Sequence, residues 1–160
     1  MIMRNKLHII WIVCLLSVQW PTWGQTITIS INLSSTQLNV SSSLITEAGN
    51  DYQISAYEDC SVCPVLFVSG YANKDMRVDV RKSDMIWSSS LAILVRRTAI
   101  ATGITGGTTF QTITNSDQYF FTVVKNTVNW IPIAFRVQNF SVLNGSGNLS
   151  TNVIFTVSLL

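Results

Sequence analysis

The sequence predicts an all-β protein in which a single antiparallel β-sandwich follows a cleaved signal peptide. Apolar side chains recur at every second position in many short segments, which is the repeat of a strand with one buried face. No segment holds a helical repeat of apolar residues long enough to predict a helix. Of the 160 residues, 48% are apolar and 11% are charged, a composition that fits one folded domain rather than a disordered chain.

The beginning of the chain has the features of an export signal. Arg4 and Lys6 precede an apolar run, Leu7–Val18, which is too short to cross a bilayer as a helix because that requires about 20 residues. The Thr-Trp-Gly triplet that ends at Gly24 offers small residues at both recognition positions of a signal peptidase, so we expect cleavage before Gln25. A membrane anchor is the alternative interpretation, and the short apolar run disfavours it. The mature chain is thus predicted to reach the periplasm, the cell surface or the extracellular medium.

This cleavage divides the chain into a signal peptide, residues 1–24, and a β-sandwich domain, residues 25–160. The signal carries two of the ten basic residues and the only histidine, His8, so the domain keeps eight basic and eight acidic residues. A neutral domain without a basic patch predicts no nucleic-acid partner, and we expect no membrane span in it. Without histidine, the Ser-His-Asp and Cys-His catalytic arrangements and histidine-ligated metal sites are excluded from the domain.

The first strand of the domain is the candidate assembly strand. Ile27, Ile29, Ile31 and Leu33 alternate with small polar residues, so all four aliphatic side chains lie on one face and no charge interrupts the run. A terminal strand of this kind offers unpaired backbone groups and an apolar row. It can pair as the first strand of its own sandwich, or it can insert into a neighbouring subunit.

Further strands are predicted where β-branched and aromatic residues cluster between polar segments. They cover Tyr52–Tyr57, Val65–Tyr71, Met76–Arg81, Leu91–Thr98, Tyr119–Lys125, Ile133–Gln138 and Val153–Leu159. The best helical candidate is a turn or two at Leu44–Asn50. The glycine-rich segment Gly103–Gly107 predicts a mobile hairpin tip, and it lacks the Lys-Ser/Thr pair of a phosphate-binding loop.

A Cys-Ser-Val-Cys segment, Cys60 to Cys63, precedes the strand that begins at Val65. Export to an oxidising compartment favours a local disulfide between these two cysteines. Free thiols, a redox site and a metal site are the alternatives. A redox site would place the first cysteine at a helix N-terminus, and a zinc site would need a second pair of ligands.

No group of residues in the domain forms a recognisable catalytic, cofactor or metal site. The eight acidic residues are scattered, and their spacing selects no pair for acid–base catalysis: Glu47, Asp51, Glu58, Asp59, Asp75, Asp79, Asp84 and Asp117. Trp87 and Trp130 are the only tryptophans of the domain. We expect both in the core because of their apolar neighbours, although exposed aromatic side chains could stack on sugar rings. The sequence therefore predicts a protein that is not an enzyme and has no cofactor.

The end of the chain resembles bacterial pilin-like subunits, namely spore coat protein U and the chaperone–usher fimbrial subunits. The resemblance is carried by the strand Asn129–Val137, the glycine-bearing loop 144–148 and the alternating last strand 150–159. It implies a sandwich of immunoglobulin-like or pilin-like type. This chain differs from that pattern because its cysteines lie close together and because Leu159 and Leu160 stand where an aromatic residue often occurs.

These observations predict a secreted or cell-surface structural or adhesive subunit that is non-catalytic and assembles through β-strand pairing. Its expected partners are further copies of itself or other surface subunits. A secreted carbohydrate-binding module, with glycans as partners, is the alternative function. An open apolar edge would indicate the subunit, whereas an exposed aromatic surface would indicate the module.

Overall fold

The computed structural model describes residues 5–11, 28–31, 35–40, 56–58, 64–69, 73–86, 89–139 and 149–160. All regular secondary structure in these ranges is β, which confirms the all-β prediction for this part of the chain. In chain order the strands are β1 (Asn5–Trp11), β2 (Thr28–Ile31), β3 (Ser35–Val40), β4 (Ala56–Glu58), β5 (Val65–Ser69), β6 (Met76–Ile86), β7 (Ala92–Arg97), β8 (Ile104–Thr105), β9 (Gln111–Thr112), β10 (Gln118–Val123), β11 (Val128–Gln138) and β12 (Leu149–Leu159).

The strands form two sheets. The first has the spatial order β3-β1-β12-β6-β10-β8, and the second has the order β2-β5-β11-β7-β9, with β4 also paired to β11. The described pairings are antiparallel, as predicted, except that β1 runs parallel to β12. Among the residues that can be described, none belongs to a helix long and apolar enough to cross a bilayer.

One hydrophobic core receives side chains from both sheets, which is compatible with a β-sandwich. In β6, Met76, Val78 and Val80 are fully buried while the residues between them are not, as the period of two requires. In β11 the buried row is Ile131, Ile133, Phe135 and Val137. The alternating apolar residues therefore lie on the inner faces of the sheets.

A bulge in β10 departs from this alternation. Tyr119 pairs with Asp79 and Phe121 pairs with Val78, so one residue of β6 is matched by two residues of β10. Phe120 and Phe121 are consequently both fully buried, and their ring centroids lie 5.0 Å apart. The extra residue allows two successive aromatic side chains to enter the core.

Gly103–Gly107 lies in the connection between β7 and β9, which pair as an antiparallel hairpin as predicted, but this connection also contains a strand of its own. Residues in this segment form β8, which pairs antiparallel with the end of β10. Arg97 is 3% exposed and fastens the segment: its backbone N–H donates to the carbonyl oxygen of Gly107 at 2.6 Å, and its Nε donates to that of Gly106 at 2.7 Å. A side chain at Gly107, where φ is +70°, would meet Phe120 at 3.0 Å. Glycine therefore serves close packing here.

Most predicted strands occur, with shifted ends. The segment predicted as Val65–Tyr71 is β5, and the one predicted as Val153–Leu159 is part of the longer β12. The predicted helical turn at Leu44–Asn50 lies outside the described residues. The predicted signal peptide contributes β1 to the first sheet.

Candidate functional site

The outer face of β11 presents an exposed tryptophan. Ile131 and Ile133 point into the core, so Trp130 lies on the opposite face, where 58% of it is exposed. The backbone N–H of Trp130 donates a hydrogen bond to Oδ1 of Asn129 at 2.9 Å. The expectation that Trp130 is buried in the core is therefore wrong, whereas Trp87 lies outside the described residues.

Phe67 of β5 stands directly opposite Trp130 in the strand register. The two ring centroids are 4.7 Å apart and the ring planes are tilted by 49°, which is within the usual range for interacting aromatic side chains. Phe67 is half-buried, so it supports the more exposed indole from the neighbouring strand. Trp130 and Phe67 are called the aromatic pair below.

The register positions described next to the aromatic pair hold no ionisable residue. Ser69 and Val128 are register partners one row further along, and Ser30 of β2 is the register partner of Phe67 on its other side. On the opposite side of β11, the hydroxyl of Thr98 donates to the carbonyl oxygen of Pro132 at 3.3 Å. These register neighbours of the aromatic pair, together with Thr98, therefore carry hydroxyl or apolar side chains.

Further along the same outer face, Phe110 lies between two arginines. The guanidinium carbon of Arg136 is 4.0 Å from the centre of the Phe110 ring, and that of Arg96 is 4.7 Å from it. Ala134 lies on this outer face and is nevertheless almost fully buried. Ala134 is therefore covered on this face, in contrast to the exposed Trp130.

A second candidate region is the side of β12 that pairs with β1. The register joins Leu7 to Leu149 and Trp11 to Val153, and β1 separates β12 from β3. The strand β1 falls entirely within residues 1–24, the predicted signal peptide. Loss of those residues would leave this side of β12 without its neighbouring strand.

A buried amide marks this side of β12. Asn152 is 8% exposed and is the register partner of Ile10 in β1. Its Oδ1 accepts no hydrogen bond in the described part of the chain. Burial of an unpaired polar group costs about 1–3 kcal/mol.

The structure describes half of the candidate assembly strand. Ile29 and Ile31 belong to β2, an edge strand of the second sheet, where their register partners are the buried Val68 and Leu66 of β5. Ile27 and Leu33 lie outside the described residues.

The acidic residues that the sequence shows as scattered are also scattered in the described structure. Three carboxylates have partners: Asp79 binds Arg77 at 2.7 Å, Asp117 lies 3.4 Å from Arg81, and Asp75 accepts the backbone N–H of Lys125 at 2.9 Å. No group of three or more metal-ligating side chains occurs within the described ranges. The predicted disulfide cysteines, Cys60 and Cys63, lie outside these ranges.

No family model matches the chain, and no curated protein matches it.

Proposed function

We propose that this protein is a secreted or cell-surface structural or adhesive subunit of pilin-like type, which is non-catalytic and assembles through β-strand pairing. The observation that carries the proposal is the position of β1 beside β12. A segment predicted to be removed on export occupies the place of a strand between β12 and β3.

Removal of residues 1–24 would open this place in the sheet. The N–H and C=O groups that β12 directs toward β1 would lose their partners, and β3 would lose its antiparallel neighbour. Unpaired edges of this kind pair readily with an extended segment of another chain. An alternating apolar strand is the segment that fits, because one of its faces would meet the core and the other would meet solvent.

Asn152 supports the same proposal. Its buried Oδ1 lacks a partner while β1 is in place. Natural sheets satisfy nearly all of their buried polar groups. We therefore infer that another strand replaces β1 beside β12 in the assembled subunit. This strand would donate a hydrogen bond to Asn152 or leave its side chain in contact with water.

Light scattering of the exported protein tests the proposal. N-terminal sequencing first establishes that the chain begins at Gln25. We expect this chain to form oligomers, and we expect a variant that retains residues 1–24, because the cleavage triplet is altered at Gly24→Leu, to remain monomeric. Equal sizes for the two forms would contradict assembly at β12.

A deletion of residues 25–34 then identifies the donated strand. If β2 stays in its own sheet, the deletion unfolds the domain, since burial of each aliphatic side chain contributes about 1.5–3 kcal/mol. If the strand is donated, the truncated chain stays folded and no longer forms oligomers. A truncated chain that folds and assembles like the mature protein would exclude both roles. Ile29→Lys, at the register position of the buried Val68, should act like the deletion, and Ser30→Lys, at the register position of the half-buried Phe67, is its matched control.

A secreted carbohydrate-binding module is the second candidate function. The exposed indole of Trp130 is the observation that favours it. Polysaccharide binding by a chain that stays monomeric after removal of residues 1–24 would favour the module over the assembling subunit.

A further inference from the structure

We propose that the aromatic pair is a sugar-binding subsite that takes an uncharged pyranose unit of a glycan, with the indole of Trp130 as its stacking face. The inference rests on the second candidate function and adds to it the binding residues and the ligand class. Three observations support it: Trp130 is exposed, the ring of Phe67 packs against it, and the described register neighbours of both residues are uncharged.

Stacking follows from the shapes and charges of the two groups. A pyranose with equatorial hydroxyls directs its C–H bonds to the faces of the ring, and these faces are apolar. The face of an indole carries partial negative charge, which attracts such C–H groups, and contact removes apolar surface from water on both sides. The indole N–H is a hydrogen-bond donor at the edge of the same ring, so one side chain offers both kinds of contact.

The orientation of Trp130 is set before any ligand arrives. Its peptide is held within β11 and by the hydrogen bond from its backbone N–H to Asn129 Oδ1. The ring of Phe67, with its centroid 4.7 Å away, restricts the rotation of the indole. A side chain that is already ordered loses little conformational entropy on binding.

The absence of ionisable residues at the neighbouring register positions selects an uncharged ligand. Ser69 and Thr98 contribute hydroxyl groups at the rim, and Val128 and Pro132 contribute apolar surface. A uronic acid or a sulfated sugar would have no cation within this rim to bind. The two arginines on the same face are engaged with Phe110.

The position of Trp130 favours a glycan over a lipid surface. It lies on the outer face of the second sheet, within β11, and not at the tip of a loop. Insertion into a bilayer requires groups that project ahead of the fold, together with cations that meet the headgroups. A polysaccharide chain can lie across a sheet face and stack one ring on the indole.

Binding isotherms with insoluble polysaccharides test the proposal. The exported protein is mixed with cellulose, chitin, β-1,3-glucan, mannan and galactan at low and at high salt. We expect retention on at least one of these and an affinity that does not change with salt, because the contact is uncharged. Trp130→Ala should weaken retention about tenfold or more, and Phe67→Leu should weaken it about threefold. Ile86→Ala, which alters a comparably exposed residue of the first sheet, is the control and should bind like the parent.

The other outcomes overturn the proposal in distinguishable ways. Retention that Trp130→Ala leaves unchanged would overturn this subsite and leave carbohydrate binding in place. Retention on none of the polysaccharides would overturn both. Binding to phosphatidylcholine vesicles that depends on Trp130, without retention on polysaccharide, would assign the aromatic pair to a lipid surface. Self-association that Trp130→Ala abolishes, again without retention, would assign it to a second copy of the chain.

Discussion

The outer faces of the two sheets use arginine in different ways. On the first sheet, Arg77 pairs with Asp79 and Arg81 pairs with Asp117, and both arginines are partly exposed. On the second sheet, the arginines flank the aromatic ring of Phe110. The arginines of the first face form ion pairs with aspartates, whereas those of the second face pack against an aromatic ring.

This difference bears on the sugar-binding subsite proposed for the second sheet. Exposed ion pairs contribute little to stability, and they keep the first face hydrated. On the second face, two arginines flank Phe110 and Ala134 is almost fully buried, whereas Trp130 of the aromatic pair is more than half exposed. The proposed sugar-binding subsite would use this open aromatic surface. Substitutions at Arg97, Phe110, Trp130 and Asp79 separate structural arginines from solvated ones and covered aromatic groups from open ones.

The largest loss in the free energy of unfolding is expected for a substitution of Arg97, which is the most buried arginine of the described residues. Burial lowers the pKa of its guanidinium from the ordinary value, while the nearby Tyr119 opposes that change. Its Nε and Nη1 donate to the carbonyl oxygens of Gly106 and Ala99 at 2.7 and 3.1 Å. Arg97→Met leaves two carbonyl groups without donors, so urea unfolding should show a loss of about 3 kcal/mol.

Arg81→Met is the matched control for this substitution, because Arg81 is partly exposed and has one ion pair. It should cost less than about 1 kcal/mol. Equal losses for the two variants would mean that Arg97 does not fasten the glycine-rich segment.

The next effect is expected at Phe110. Phe110→Ala removes the ring that both guanidinium groups contact and uncovers the sheet beneath it. We expect a loss of about 2 kcal/mol in the free energy of unfolding, because two cation–π contacts and part of the apolar burial are lost together. Phe110→Leu keeps most of the apolar cover and should lose about half as much in the same urea titration. A Phe110→Ala variant as stable as the parent would show that the ring does not cover the sheet.

The strands could be predicted because their alternation is local information. The residues of β6 and β12 that alternate in the sequence also alternate between core and surface near Met76 and Phe155. The same alternation applies to Trp130. Ile131 and Ile133 point into the core, so Trp130, one residue before Ile131, lies on the outer face. Its apolar neighbours favour burial, but the face on which a strand side chain lies depends on whether its position along the strand is odd or even.

Other features depend on contacts between distant segments. The bulge at Phe120 exists because β10 and β6 pair in a shifted register, and no local pattern predicts that shift. The glycine-rich segment is held by Arg97, which precedes it by several residues on another strand. Phe67 meets Trp130 only through the register of β5 with β11. The aromatic pair could therefore not be predicted from the sequence, in which Trp130 stands out but Phe67 does not.

The third largest loss in the free energy of unfolding is expected at Trp130, the exposed aromatic residue of the second sheet. Trp130→Ala should lower the free energy of unfolding by about 1 kcal/mol, because the ring is more than half exposed and its main described ring contact is Phe67. Denaturant unfolding of this variant beside Phe110→Ala compares an open aromatic side chain with a covered one. A loss at Trp130 as large as that at Phe110 would make the open ring a structural element and not a binding one.

The smallest effect is expected on the solvated face. Asp79→Asn removes the charge that pairs with Arg77 across 2.7 Å, while Arg77 retains its position 5.5 Å from the ring centre of Tyr119. Because the pair is partly exposed and its members stand two residues apart on one strand, we expect a change of about 0.5 kcal/mol. A double-mutant cycle with Arg77→Gln, measured at low and at high salt, isolates the interaction energy, which should shrink as salt screens the charges. A coupling above about 1.5 kcal/mol that salt leaves unchanged would place this pair in the same class as the structural arginines of the second sheet, and the contrast between the two faces would no longer hold.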